Sequence, residues 1–95
     1  MKVELSAEAQ AQVERIDAWW RENRPAAPTL FAEELEQAIR TLAKTPAAAV
    51  RYAPKPGVRR LLLRRSYYHL YVVEKSATVY VVAVWNAFRG RGPRL

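Results

Sequence analysis

Residues 58–86 read VRRLLLRRSYYHLYVVEKSATVYVVAVWN, and this stretch decides the fold. It is dense in β-branched and aromatic residues and is cut into three by polar breaks, so it predicts strands near 58–65, 67–74 and 78–86. Glu74-Lys75-Ser76-Ala77 makes a tight hairpin between the last two. Side chains alternate across a strand. On the first strand Leu61 and Leu63 therefore share a face, with Arg59 and Arg65 at its ends, while Arg60, Leu62 and Arg64 point the other way. The Leu61/Leu63 side is the core candidate. On the second, Leu70 and Val72 oppose His69, Tyr71 and Val73. The third is apolar on both faces, so its pattern leaves the orientation open.

Upstream, residues 2–5 form a short strand and Ser6 is a helix N-cap, with Glu8 in the first turn where the helix dipole favours an acid. Ala9, Val13, Ile16 and Trp20 recur at spacings of three and four, one apolar stripe on a helix that Asn23-Arg24-Pro25 ends. After the Pro25–Pro28 break a second helix carries Phe31, Leu35, Ala38, Ile39 and Leu42 on its apolar side, and Thr45-Pro46 stops it. Of the adjacent Trp19 and Trp20, only Trp20 fits the stripe; Trp19 faces either the second helix or a partner. Residues 46–57 are a Pro/Ala-rich connection ending in the turn Lys55-Pro56-Gly57. The order is β-α-α-β-β-β. It predicts an α+β fold in which an antiparallel sheet packs one face on a helical hairpin and leaves the other open.

The 95 residues make room for one domain, 1–95, with a Gly/Arg-rich tail from about residue 88 that is expected to be mobile at its end. Cysteine is absent, no signal-peptide pattern opens the chain, and the longest apolar run, Val79 to Trp85, is too short to cross a bilayer. The expectation is a cytoplasmic protein with no membrane association. The formal charge of +7 is unevenly spread: residues 1–48 balance at −2, whereas residues 49–95 hold ten Lys/Arg against Glu74 alone, a balance of +9. Such asymmetry predicts an acidic or polyanionic partner for the C-terminal half. Arg59, Arg60, Arg64 and Arg65, with Leu62 among them and Arg89 and Arg91 beyond the last strand, are the candidate partner-binding set. Guanidinium forks pair with carboxylates and phosphates alike.

A catalytic role has thinner support. Cleaving RNA without a metal needs a base, an acid for the leaving oxygen, and cations around the phosphorane-like charge. His69, the single histidine, can act as the base, Tyr71 is a neighbouring hydroxyl, and Arg89 is a cation within the basic tail. A strand histidine beside tyrosines is more often a packing residue, as are Tyr67, Tyr68, Tyr71 and Tyr80. With no cysteine, one histidine and no clustered acids in the basic half, no metal or other cofactor is expected, and Gly57, Gly90 and Gly92 make no phosphate-loop motif.

At this level of detail the chain resembles the RelE/ParE toxins of type II toxin-antitoxin systems. The carrying strings are Val3-Glu4-Leu5-Ser6 before the first helix, Phe31-Ala32-Glu33-Glu34-Leu35 in the second, and Val58-Arg59-Arg60-Leu61, Tyr68-His69-Leu70-Tyr71 and Val82-Ala83-Val84-Trp85 on the strands. The resemblance implies a toxin co-produced with an acidic antitoxin that wraps it in a hetero-oligomer and blocks its working surface. RelE-like members cleave mRNA at the ribosome, with basic and Tyr or His side chains on the open sheet face and near the C-terminus. ParE-like members poison DNA gyrase without that set, and this chain looks closer to them. Many ParE-like members place His-Gly directly after the last strand, where this chain has Asn86-Ala87. The resemblance thus implies a non-enzymatic gyrase inhibitor first, a ribosome-dependent mRNA endonuclease second. A basic nucleic-acid-binding module without toxin role is the reading from another class.

Overall fold

The computed structural model describes all residues, Met1–Leu95. Strand β1 (Lys2–Leu5) leads into helix α1 (Ala7–Asn23) and helix α2 (Leu30–Lys44). A single 3-10 turn, Pro46–Ala48, precedes the strands β2 (Val50–Arg51), β3 (Arg59–Leu63), β4 (Tyr68–Lys75) and β5 (Thr78–Asn86). Ser6 caps α1 as its side chain predicts, its Oγ accepting the Ala9 N–H at 3.1 Å. Neither helix is long and apolar enough to cross a membrane.

The strands form one sheet in the order β1-β5-β4-β3-β2. The expected β-α-α-β-β-β frame is present, with two differences. The sheet is mixed, because β1 runs parallel to β5 with Val3 against Val79 and Leu5 against Val81. The two helices form the long crossover a parallel pair needs. They carry the chain to the far edge, and the successive antiparallel strands bring it back beside β1. The second difference is β2, inside the predicted connection. Only Val50 and Arg51 pair with β3, against Arg60 and Arg59, and two residues carry no readable alternation.

The helices cover one face. Ala9 and Trp20 from α1, Phe31, Leu35, Ala38 and Leu42 from α2, and Leu63, Leu70, Val72, Val79, Val81 and Val84 from the sheet form the main core. Phe31 and Leu42 are fully buried, each burial stabilising the fold by about 1.5–3 kcal/mol. The orientation of β5 is set by a bulge. Tyr71 pairs with Ala83 and Val72 with Val81, so Val82 is the extra residue. Val79 and Val81 before the bulge and Val84 after it all face the helices, while Ala83 and Trp85 belong to the outer side.

Where β1 ends, the edge of β5 is taken over by a side chain: buried Gln12 of α1 accepts the Val84 N–H on its Oε1 at 2.7 Å. At the β3–β4 turn Glu34 of α2 accepts from the Arg65 and Ser66 main-chain N–H groups, both at 2.8 Å, and from Ser66 Oγ at 2.6 Å. These three bonds fasten the turn to the helical layer. They hold Ser66 buried and the following Tyr67 in the left-handed region, φ 62°.

Candidate functional site

The face turned away from the helices carries the unusual chemistry. Cross-strand pairing sets Arg60 beside Tyr71 and Leu62 beside His69, then Tyr71 beside Ala83 and His69 beside Trp85. Val58, Tyr71 and Ala83 form a small second core here, flanked by Tyr52, Val73, Val82 and Trp85. Tyr52 meets Tyr71 edge-on at 5.0 Å between ring centroids, and His69 meets Tyr71 at 6.0 Å. The Arg60 guanidinium lies over the Tyr52 ring, 5.1 Å from its centroid, and Arg89 lies over Trp85 at the same distance. A guanidinium held over a ring face is partly ordered by the cation–π attraction, while its N–H groups make no hydrogen bond within the protein.

The tail does not simply leave the molecule. Trp85 Nε1 donates to the Arg91 carbonyl at 2.8 Å. Gly92 sits so close to the sheet that a Cβ there would be 2.6 Å from the Tyr52 hydroxyl and 3.4 Å from that of Tyr71. Only a glycine lets the backbone approach this far. Part of the face expected to be open is therefore overhung by residues 89–92, which border a half-open cleft of about 450 Å³ lined by Arg51, Arg60, His69, Tyr71, Arg89 and Arg91 among others.

The pKa of His69 is pushed below the ordinary value, first by burial and then by the Arg60 charge. The unfolded chain takes up this proton more readily than the folded one. The neutral imidazole thus contributes stability above the unfolded value of about 6.5, and that contribution is lost as pH falls through the folded pKa. A proton NMR titration of the single histidine should place its midpoint below 6.5. In Arg60→Gln the midpoint should rise but stay depressed, since burial is the larger cause. A midpoint at or above 6.5 in the parent would contradict this placement.

Arg60, Leu62, Arg89 and Arg91 of the partner-binding set are brought to one surface, together with the catalytic candidates His69 and Tyr71. Arg59 is not: it pairs with Val72 and with Arg51 on the opposite side of the sheet. Arg64 and Arg65 lie beyond the end of β3, exposed in the turn that Glu34 holds, so Arg64 does not continue the alternation through Leu62. Arg51, Tyr52 and Trp85 line the cleft and were not singled out by the sequence. Trp19, the undecided tryptophan, is 43% exposed with the Arg24 guanidinium 4.8 Å above its ring. Asn86 caps the turn after β5, its Oδ1 accepting the Phe88 N–H at 2.8 Å.

The charge pattern becomes sharper in three dimensions. The three ion pairs, Lys2–Glu4, Arg21–Asp17 and Arg40–Glu36, all lie in the first half of the chain. No arginine from Arg51 to Arg94 is paired with a carboxylate, and none of their side chains donates a hydrogen bond within the protein. The surface is a set of unspent donors, suited to a ligand rich in acceptors.

One family model matches the sequence, and two solved structures share the fold. The family model described as the ParE toxin of type II toxin-antitoxin system, parDE, matches residues 3–89. A chain from the solved structure of the chromosomal ParDE TA system from P. aeruginosa superposes with a TM-score of 0.78, covering 90% of this chain and 95% of that one at 18% identity. A chain of the intact E. coli RelBE toxin-antitoxin complex superposes with a TM-score of 0.62, covering 93% of this chain and 98% of that one at 20% identity. No curated protein matches the chain significantly by sequence. The likeness to the solved chains is one of fold, while the family model spans nearly the whole sequence, and on that ground the protein belongs to the ParE toxin family of type II toxin-antitoxin systems.

Proposed function

We propose that this ParE-family toxin is neutralised by an acidic antitoxin lying across its arginine-bearing outer face, and that its cellular target is DNA gyrase. The observation that carries the first part is the absence of any internal partner for the arginines of the second half, beside three ion pairs confined to the first. Partner carboxylates meeting those free N–H groups form charge-assisted hydrogen bonds. A partner that binds only the folded chain also raises its stability by mass action.

The gyrase reading is supported by the family to which the chain belongs. The endonuclease reading draws on His69, Tyr71 and Arg89, which do share one cleft, beside the tail segment that Trp85 Nε1 holds through the Arg91 carbonyl. The test uses the purified chain in two assays, supercoiling by purified gyrase and mRNA cleavage on translating ribosomes. Inhibition of supercoiling with mRNA intact is the expected result. Cleavage at defined codons with supercoiling unaffected would replace gyrase by the ribosome. For the antitoxin, the melting temperature should rise on adding the acidic product of the adjacent reading frame; no shift would remove that partner.

A further inference from the structure

We infer that the overhung cleft on the outer face binds a small phosphate ester of about mononucleotide size, held by Arg60, Arg89, Arg91 and the Tyr71 hydroxyl. Four arginines and no carboxylate line this cavity. A carboxylate ligand offers two oxygens and one charge and leaves most of these donors unmet. A terminal phosphate offers three oxygens and up to two charges, which suits a cleft lined by Arg60, Arg89 and Arg91 with no carboxylate among its residues. The volume, about 450 Å³, falls in the range of small-molecule sites.

Tyr71 supplies a second, independent observation. The residue is 1% exposed, yet its hydroxyl has no hydrogen-bond partner in the protein and reaches the cleft under Gly92. The buried polar atoms left without a partner are Asp17 Oδ1 and Trp20 Nε1, so the Tyr71 hydroxyl is not among them: it meets the water of the cleft and is free to donate to a ligand acceptor there. The cation–π contacts of Arg60 with Tyr52 and of Arg89 with Trp85 partly order two cations before any ligand arrives, reducing the ordering cost of binding. The tail bears on ligand size. Held by the Trp85–Arg91 bond and drawn close to Tyr52 at Gly92, the tail narrows the cleft, which suits a chain end or a free ester better than a continuous polynucleotide. The site shares Arg60, Arg89 and Arg91 with the proposed antitoxin surface, so the two ligands would compete; the titration uses the chain free of antitoxin, and its failure leaves antitoxin binding untouched.

The experiment titrates the full chain with inorganic phosphate, AMP and a short single-stranded oligonucleotide, read by calorimetry and by the His69 NMR signal. AMP should bind saturably at one site per chain, phosphate should compete more weakly, and the oligonucleotide should add nothing comparable. Tyr71→Phe, which keeps the ring and its packing, should weaken AMP binding by about fivefold to tenfold, and Arg60→Gln by about tenfold or more. Arg64→Gln, a loss of charge outside the cleft, should leave it unchanged. Gly92→Ala, which forces the tail away from Tyr52, should weaken AMP and let the oligonucleotide compete. Circular dichroism checks each variant for folding. No saturable binding of AMP or phosphate overturns the inference. So does an equal loss in Arg64→Gln, which would reveal diffuse charge attraction, or oligonucleotide binding without AMP binding, which would make the face a polynucleotide surface.

Discussion

Replacing Arg60 and Arg89 together by glutamate is expected to weaken antitoxin binding by about a hundredfold or more at low salt, because two attractive contacts become repulsive ones. Both guanidinium groups stand on the outer face, and neither has a carboxylate or hydrogen-bond partner inside the protein. The fold loses only the two cation–π contacts, on the order of 0.5–1 kcal/mol for exposed Arg89 and up to about 2 kcal/mol for half-buried Arg60. The binding defect should shrink as salt is raised, since the screening length falls from about 10 Å at 0.1 M to about 3 Å at 1 M. Lys44→Glu with Lys75→Glu makes the same change in net charge away from the cleft and should cost far less. Calorimetric titration at two salt concentrations distinguishes the cases. If the double variant binds as tightly as the parent at low salt, the partner lies elsewhere and these arginines are a solvated surface.

The parts of this arrangement visible in the sequence are those fixed by local periodicity. Leu61 and Leu63 against Arg60 and Leu62, and Leu70 and Val72 against His69 and Tyr71, follow from strand alternation alone, as do the stripes of both helices. Periodicity fails where a contact from a distant segment overrules it. The β3 alternation predicts Arg64 beside Arg60, but Glu34, thirty residues earlier, captures the next two main-chain N–H groups and ends the strand at Leu63. β5 is apolar throughout, and only its bulge at Val82, set by the register with β4, decides which valines go inside. The parallel pairing of β1 arises from the route of the chain rather than from any residue. The tail has no apolar pattern because its attachment depends on a main-chain carbonyl and on the missing side chain of Gly92, neither of which leaves a compositional trace.

The same Glu34 contact leads to the largest expected change in stability outside the core. Glu34→Ala removes the acceptor for two main-chain N–H groups and one hydroxyl, leaving half-buried donors at the β3–β4 turn. Bonds to a charged acceptor contribute about 1.5–3 kcal/mol each, but water reaches part of this site and the three share one carboxylate, so a total near 3 kcal/mol is expected. For a domain of this size that corresponds to a fall in melting temperature on the order of 15 °C. Glu34→Gln keeps one acceptor oxygen and should lose about half as much. Hydrogen exchange adds a local readout: the Arg65 and Ser66 amides should lose protection more than the strand amides of β4. The consequence should extend to the cleft. Tyr67, held left-handed just past this anchor, accepts the Ala87 N–H on its carbonyl at 2.8 Å and stacks on Phe88 at 4.7 Å, fixing the base from which the tail turns back over the sheet. Loosening the turn should therefore shift the His69 NMR signal although Glu34 makes no contact with it. A variant that melts within about 2 °C of the parent, less than the shift from 1 kcal/mol, with Arg65 and Ser66 still protected, would show that the turn holds itself and that the helical layer does not position the site.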